Sequence, residues 1–399
     1  MEYIAVREAA RRWSISERLV QKLCAQGRID GAEKFGGSWR IPASARKPSD
    51  PRRAESPDPA ARPRRASGCH DLMPLMNTPF TPGHCLEFVE SLEDGPRKTI
   101  ARAEYAYFSG DAEKAVELAA GSLESSIPEI CLSACLICAY ANLTLGSISR
   151  ARSALDRARS SVTSPHAQTS PELRALAAFI AQTSSVLLHL PVPEGVPEAR
   201  EVLPLLPPGL RSFACYVQAH QLYLQEEYEK SLGLVLGVFA MQDEVYPIPA
   251  IYLHLVAVMD LMALRRQDEA REHLLAAWDI ARQDDLIEAF GEHHGLLGGM
   301  LESVIKPKWP GDFKRIIDIT YRFSAGWRRV HNPVTGDEVA DDLTTTEFAT
   351  AMLAARGWAN QEIADHLGVS INTVKRHLAH AMDKLGVTSR KELQRYMLR

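Results

Sequence analysis

Two sets of residues have the types and spacing to do chemistry. Cys131-x-x-x-Cys135-x-x-Cys138 sets three thiols at a spacing that can ligate an iron–sulfur cluster, for which thiolates are suitable donors. The second set is cationic and amide-bearing: Asn372, Thr373, Lys375, Arg376 and His377 towards one end of the chain, and Arg18, Gln21 and Lys22 towards the other. Lysine and arginine neutralise phosphates, and arginine, asparagine and glutamine can pair with the edges of bases.

An iron–sulfur site of this spacing needs its cysteines on a loop. The run Ile130 to Tyr140 has helical periodicity instead, which lines the three sulfurs along one stripe, and cysteine packs well as a small hydrophobe. A packing helix is expected, with a redox or metal-sensing role through Cys131, Cys135 and Cys138 as the alternative. His293-His294 has no carboxylate or cysteine at ligand spacing and is expected at an exposed helix terminus. No Gly-x-x-x-x-Gly-Lys-Ser/Thr phosphate loop occurs, and no Ser/His/Asp or paired-carboxylate constellation stands out. The chain reads as a non-enzyme, with no catalytic residue, cofactor or metal expected.

Charge distribution favours the second set. The formal net charge is -4, yet residues 1–65 carry 15 Lys/Arg against 8 Asp/Glu, and residues 343–399 carry 8 against 5, so two basic ends flank an acidic middle of net -14. Such asymmetry points to a polyanion at the ends. The 399 residues are 46% hydrophobic, enough for two or three cores. Seven cysteines in this length do not read as a secreted disulfide framework. Met1 to Arg7 lacks the apolar stretch of a signal peptide, and the apolar run Ile248 to Leu264 is broken by Pro249, His254 and Asp260, so it reads as a core helix and not a membrane span. A soluble, cytoplasmic protein is expected.

The elements that must position the cationic residues are legible at both ends. Over residues 343–399, Thr344-Thr345-Thr346-Glu347 and Ser389-Arg390-Lys391-Glu392 fit capping boxes, and Asn360 and Ser370 are candidate N-caps. Gly368-Val369-Ser370 makes a tight turn between helices Gln361–Leu367 and Ile371–Leu385. Phe348 and Met352, Ile363 and Leu367, Val374 and Leu378, and Leu385 supply the apolar faces, leaving Lys375, Arg376, Ala379 and Lys384 outward. A short helix, a turn and a longer helix with cations in its early turns make a helix-turn-helix, whose second helix enters the major groove.

This segment resembles the LuxR-type (GerE-like) DNA-binding domain in Leu343-Thr344, Glu347, Gly357, Asn360-Gln361-Glu362-Ile363-Ala364, Leu367, Val369-Ser370, Thr373-Val374-Lys375, His377, Lys384-Leu385, Val387 and Ser389-Arg390. The resemblance implies a four-helix domain whose third helix reads DNA and whose last helix helps dimerisation. It implies base-edge positions for Lys375 and Arg376, backbone-side positions for Ser370, Thr373 and His377, and DNA contact for Thr344 and Asn372. Thr346 stands where the family usually has arginine, and Ala379 where several members are basic or polar, so the target sequence does not carry over.

Residues 3–44 repeat this logic in a smaller frame. Arg7 to Trp13 forms one helix, Ser16 caps a second from Glu17 to Gln26, Gly27 ends it, and Ala32–Phe35 and Ser38–Ile41 form a hairpin turning on Gly36-Gly37. Through Glu8-Ala9-Ala10, Ile15-Ser16, Gly27 and Gly36-Gly37-x-Trp39-Arg40-Ile41-Pro42 the segment is similar to excisionase/MerR-type winged helices. That similarity implies Arg18, Gln21 and Lys22 facing the major groove, and Lys34 and Arg40 on the wing against phosphate or minor groove. A protein-docking module is the alternative.

Between the ends, Leu86 to Ser303 is helical in pattern. Gly110-Asp111-Ala112-Glu113-Lys114-Ala115 and Gly146-Ser147-Ile148-Ser149-Arg150-Ala151 share one turn frame, and the stretches 226–231 and 265–270 keep it with the glycine lost. A degenerate unit is expected near Glu194 to Ala199. The first unit resembles the tetratricopeptide turn, which implies a curved solenoid with a concave binding surface.

The expected fold is mainly α: residues 1–44 an excisionase/MerR-like winged helix-turn-helix with a small β-hairpin, 45–82 a disordered Pro/Arg-rich linker, 83–304 tetratricopeptide-like repeats, 305–340 an amphipathic helix and hinge, and 341–399 the LuxR-type domain. The expected function is a bacterial, sequence-specific transcription regulator that binds double-stranded DNA as a homodimer and works with RNA polymerase. An unknown small-molecule or protein effector is expected at the repeats, and no membrane. The alternative is a helical-repeat interaction scaffold with weak DNA tethering.

Overall fold

The computed structural model describes residues 3–13, 16–29, 31–43, 45, 71–163, 171–187, 196–331 and 343–394. The chain divides into two compact units, Met1–Ala66 and Ser67–Arg399, and is mostly helical with one small sheet.

In the first unit, β1 (Tyr3–Ala5) runs straight into α1 (Val6–Trp13). Ser16 Oγ accepts from the Leu19 N–H at 3.3 Å and starts α2 (Glu17–Ala25); Gly27 at φ +66° ends it. β2 (Glu33–Phe35) and β3 (Ser38–Pro42) turn on Gly36 and Gly37 at φ +57° and +85°, the left-handed pair that a two-residue hairpin turn needs. The sheet has three strands in the order β1-β3-β2, with Ile4 opposite Ile41. The strand at Tyr3–Ala5 is absent from the sequence reading because three residues are too few to show alternation. Ala9, Ala10, Trp13, Val20, Leu23, Cys24, Ile29 and Ile41 form the core.

The second unit is built on helical hairpins. α3 (Cys85–Ser91) leads in, followed by α4 (Pro96–Phe108) with α5 (Ala112–Ala120), α6 (Pro128–Thr144) with α7 (Ile148–Thr163), α8 (Pro171–Leu187) with the four-residue α9 (Ala199–Val202), α10 (Pro208–Leu224) with α11 (Tyr228–Met241), and α12 (Pro247–Ala263) with α13 (Gln267–Ala281). Residues 188–195, on which part of the degenerate unit was expected, lie outside the described residues.

The four aligned turns share one geometry. Gly110, Gly146, Glu226 and Arg265 all sit at positive φ, at +85°, +67°, +62° and +61°. In each, the following N–H closes back on the helix it leaves: Asp111 to Ala106 O, Ser147 to Asn142 O, Glu227 to Leu222 O and Arg266 to Leu261 O, at 2.8–2.9 Å. This is the Schellman end of a helix. Five residues after each turn position stands a small side chain, Ala115, Ala151, Ser231 or Ala270, all fully buried where the second helix meets its neighbour.

Cys131, Cys135 and Cys138 lie on α6, buried in the core; burial pushes the Cys135 and Cys138 thiols up to about 12 and 11. The expected linker over 45–82 ends earlier than anticipated. Leu72, Met73, Leu75 and Met76 are buried, the Leu75 and Met76 N–H groups donate to the Glu104 carboxylate at 2.8 and 3.1 Å, and the Met73 N–H donates to Ser133 Oγ at 2.9 Å. A buried carboxylate and four apolar side chains outweigh the linker-like composition upstream. Residues 46–70 lie outside the described residues.

The inner helices do not face an open groove throughout. α14 (Glu288–His293) and α15 (Pro310–His331) fold back, α14 against α4 and α12 and α15 against α6. The His293-His294 pair is therefore buried, contrary to the expected exposed terminus. His293 meets Tyr216 Oη and the Ala289 carbonyl at 2.8 Å each, and His294 Nε2 meets Glu302 Oε1 at 2.7 Å. Glu302 is the carboxylate partner that sequence spacing hid, brought in by the π-helical turn Leu301–Ile305.

At the C-terminal end come α16 (Thr345–Ala355), α17 (Asn360–Leu367), α18 (Ile371–Lys384) and a 3-10 turn Arg390–Glu392. Among the described residues no helix is long and apolar enough to cross a membrane.

Replacing Glu226, an exposed residue holding a left-handed turn, by glycine is expected to stabilise the unit by roughly 0.5–1 kcal/mol: the left-handed penalty removed, less glycine's larger unfolded-state entropy. A denaturant midpoint unchanged or lowered in Glu226→Gly would show that turn to be unstrained.

Candidate nucleic-acid interface

α18 is amphipathic for a reason visible residue by residue. Val374, Leu378 and Ala381 bury one face. Asn372, Lys375 and Arg376 occupy the other, exposed, their side chains without a hydrogen bond or ion pair among the described residues. Ser370 caps the helix, its Oγ accepting from the Thr373 N–H at 3.1 Å and lying 2.8 Å from Thr373 Oγ1. Gly368, at φ +65° and ψ +34°, ends α17 and turns the chain into that cap. His377 is half-buried, its Nδ1 has no partner among the described residues, and burial together with Arg376 lowers its pKa.

Thr344 is exposed and makes a full capping box: its Oγ1 accepts from the Glu347 N–H at 3.3 Å, and Glu347 Oε2 accepts from the Thr344 N–H at 2.9 Å. Three local expectations need correction. Asn360 is the first residue of α17 and not its cap; Ala359 takes that place, its N–H donating to Glu362 Oε2 at 2.6 Å, while Asn360 Oδ1 accepts from Arg390 Nη1 at 2.9 Å. Ser389 does not cap through its side chain; the Glu392 carboxylate accepts from the Thr388 N–H and from Ser389 Oγ instead. Lys384 does not stand free on the outer face, because its Nζ donates to Glu347 Oε2 at 2.8 Å. Lys384, expected on the outer face, and Arg390 thus tie α16, α17 and α18 together.

Glu347 is the hub of that tie. Burial works against its charge, but the Lys384 ammonium and the Thr344 N–H outweigh burial and hold the carboxyl down to about 2. His380 Nδ1 stands 3.4 Å from its other oxygen.

This domain is seated on the helical array. A Cβ on Gly295 would meet the Phe348 ring at 2.8 Å, and one on Gly299, at φ +80°, would meet Leu367 at 2.6 Å. His366 Nε2 meets the Gly298 carbonyl at 2.9 Å, Arg265 Nη2 donates to the Gly357 carbonyl at 3.0 Å and Arg265 pairs with Glu362, while Arg356 reaches the Tyr223 hydroxyl. One apolar core runs through both.

In the first unit, Arg18, Gln21 and Lys22 are exposed on α2, and Lys34 and Arg40 are exposed on β2 and β3. The Arg40 guanidinium lies 4.0 Å over the ring of Phe35, which is 63% exposed at the hairpin tip. Phe35 was not singled out from sequence; its place beside the glycine turn is the signal that could have drawn attention to it.

Residues 341–397 match the family described as bacterial regulatory proteins, luxR family. Over 57 residues the chain is 44% identical to the "Oxygen regulatory protein NreC" of Staphylococcus aureus strains JH9, Mu3 and USA300, a stretch that is 14% of this chain and 26% of each relative. The chain thus spans about a quarter of the length of the curated relatives it matches. No solved structure matches it. The C-terminal segment is a LuxR-type helix-turn-helix domain.

Because the folded carboxyl of Glu347 lies below its ordinary value of 4.5, its contribution to stability is full above about 4.5 and is lost as the pH falls towards about 2. The stability difference between the protein and Glu347→Gln should shrink across that window in acid-titrated melts. A difference constant from pH 7 to pH 2 would rule out Glu347 as the charged anchor.

Proposed function

We propose that the chain is a DNA-binding transcription regulator in which α18 lies in the major groove. What supports this reading above all is the exposed face of α18 inside a LuxR-type domain: Asn372, Lys375 and Arg376 are presented together, their side chains without a partner among the described residues. On this reading Lys375 and Arg376 contact base edges, Ser370, Thr373 and His377 lie against the backbone, and Thr344 approaches phosphate from the start of α16. The pairing of Ser370 with Thr373 uses one hydroxyl proton and leaves the other O–H to donate to a phosphate near the helix N-terminus, where the backbone also favours an anion.

The N-terminal unit serves as a second reader, with Arg18, Gln21 and Lys22 towards the groove and Lys34 and Arg40 towards phosphate. The helical array senses a ligand or docks a partner. Its effect reaches the C-terminal domain through the seam at Gly295, Gly298-Gly299 and Arg265. A homodimer on DNA and contact with RNA polymerase complete the proposal.

A binding-site selection on random duplexes followed by anisotropy titration tests it. Lys375→Ala should weaken binding to the selected site by ~1–3 kcal/mol, roughly 5- to 150-fold, with little change on competitor DNA. Arg40→Ala should instead lower the salt slope by about one, uniformly across sequences. Failure to enrich any sequence, or full affinity in Lys375→Ala, would refute the assignment.

The seam gives a separate expectation. Arg265→Ala, which removes the bond to Gly357 and the pair with Glu362, should change the operator affinity of the full chain several-fold. An affinity identical to the parent's would mean that the array does not influence the domain by this route.

A further inference from the structure

Helices from three array hairpins send tyrosines to α14. Tyr107 of α4 and Tyr252 of α12 both donate to the Glu292 carboxylate, the latter at 2.8 Å, and Tyr216 of α10 bonds the adjacent His293. Beside this cluster lies a small cavity of about 50 Å³ walled by Tyr107, Phe108, Tyr140, Phe179, Phe213 and Tyr252, with Glu292 as the acidic residue among the described lining. Two further polar atoms in its wall, Tyr140 Oη and Thr183 Oγ1, are buried without a hydrogen-bond partner among the described residues. One helical turn before Glu292, Glu288 is also fully buried, with Thr144 Oγ1 at 3.2 Å and its second oxygen unpartnered. No Lys, Arg or His lies within ion-pair distance of either carboxylate among the described residues.

We propose that this cavity binds a small organic cation, an ammonium group carried on an apolar body. Aromatic ring faces present negative charge that attracts such a cation, and a desolvated site strengthens that attraction. Glu292 supplies the counter-charge, already oriented by two phenols, while Tyr140 and Thr183 can accept hydrogen bonds from the ammonium or its neighbour. Met73, Met76, Leu136 and Ile137 line the same space and suit the apolar body.

Other ligand classes fit less well. An anion would be repelled by an ionised Glu292. A neutral hydrocarbon would leave the Tyr140 and Thr183 hydroxyls without partners, at a cost in affinity. A metal ion lacks a ligand set, since no group of three His, Cys, Asp or Glu is placed to hold one among the described residues.

The inference rests on reading the array as a sensor, and the experiment separates the two. Calorimetry of the full chain at neutral pH compares ethylamine, ethanol and acetate, which are close in size but differ in charge. Ethylamine should bind with one site per chain and at least about tenfold more tightly than ethanol, with acetate silent. Glu292→Gln should lose about tenfold for ethylamine and keep its affinity for ethanol, which also shows that the cavity is still formed. Equal affinity for amine and alcohol, or an amine affinity untouched by Glu292→Gln, would overturn the cation assignment; no binding by any probe would overturn the site. Operator affinity is then measured with and without saturating ethylamine. Amine binding that leaves operator affinity unchanged supports the cavity assignment and removes the sensor role; absent amine binding, with Lys375→Ala still weakening DNA binding, removes the cavity and leaves the regulator.

Discussion

Each long hairpin of the array depends on one residue held at positive φ and one small side chain five positions later. The first, whether Gly110, Gly146, Glu226 or Arg265, closes the Schellman bonds that reverse the chain within three residues. The second, Ala115, Ala151, Ser231 or Ala270, allows the returning helix to approach without a gap. That the geometry persists in two turns without glycine shows what it is worth, because each tolerates a left-handed penalty of about 1–2 kcal/mol. With this pitch set, Tyr107, Tyr216 and Tyr252 on the first helices of their hairpins all reach α14.

Buried carboxylates are handled in different ways, and the differences mark what each does. Glu104 is answered by two backbone N–H groups, and burial still pushes its carboxyl up to about 8. It pins the segment from Leu72 to Met76 against the array. Glu347 is answered by a lysine and stays charged, and it holds α16 to α18. Glu292 receives only phenols, and burial raises its pKa. An acid with no cation beside it, facing a cavity, contrasts with the other two, whose requirements are met by the fold.

The seam between array and C-terminal domain uses glycine for close approach and single polar bonds for register. Gly295 and Gly299 let Phe348 and Leu367 in, while His366 and Arg356 each make one polar contact across and Arg265 makes two. Burial lowers the His366 pKa, which suits a neutral ring bonded to the Gly298 carbonyl. α18 keeps its cationic face clear of this contact, so seating the domain does not by itself cover Lys375 or Arg376.

What the residues determined unaided was local: the Ser16 and Ser370 caps, the Thr344–Glu347 box, the Gly36-Gly37 turn, the four hairpin turns, and the helix-turn-helix with Lys375, Arg376 and Ala379 outward. Each of these depends on partners within a few positions along the chain, so spacing alone carries the information. Only the tertiary structure decided the strand at Tyr3–Ala5, the pairing of Lys384 with Glu347, the burial of His293-His294, the packing of Leu72 to Met76, and the ring of aromatics around Glu292. Most of those rest on partners tens to hundreds of residues away. A buried polar group looks the same in sequence as an exposed one until the fold shows which atoms surround it.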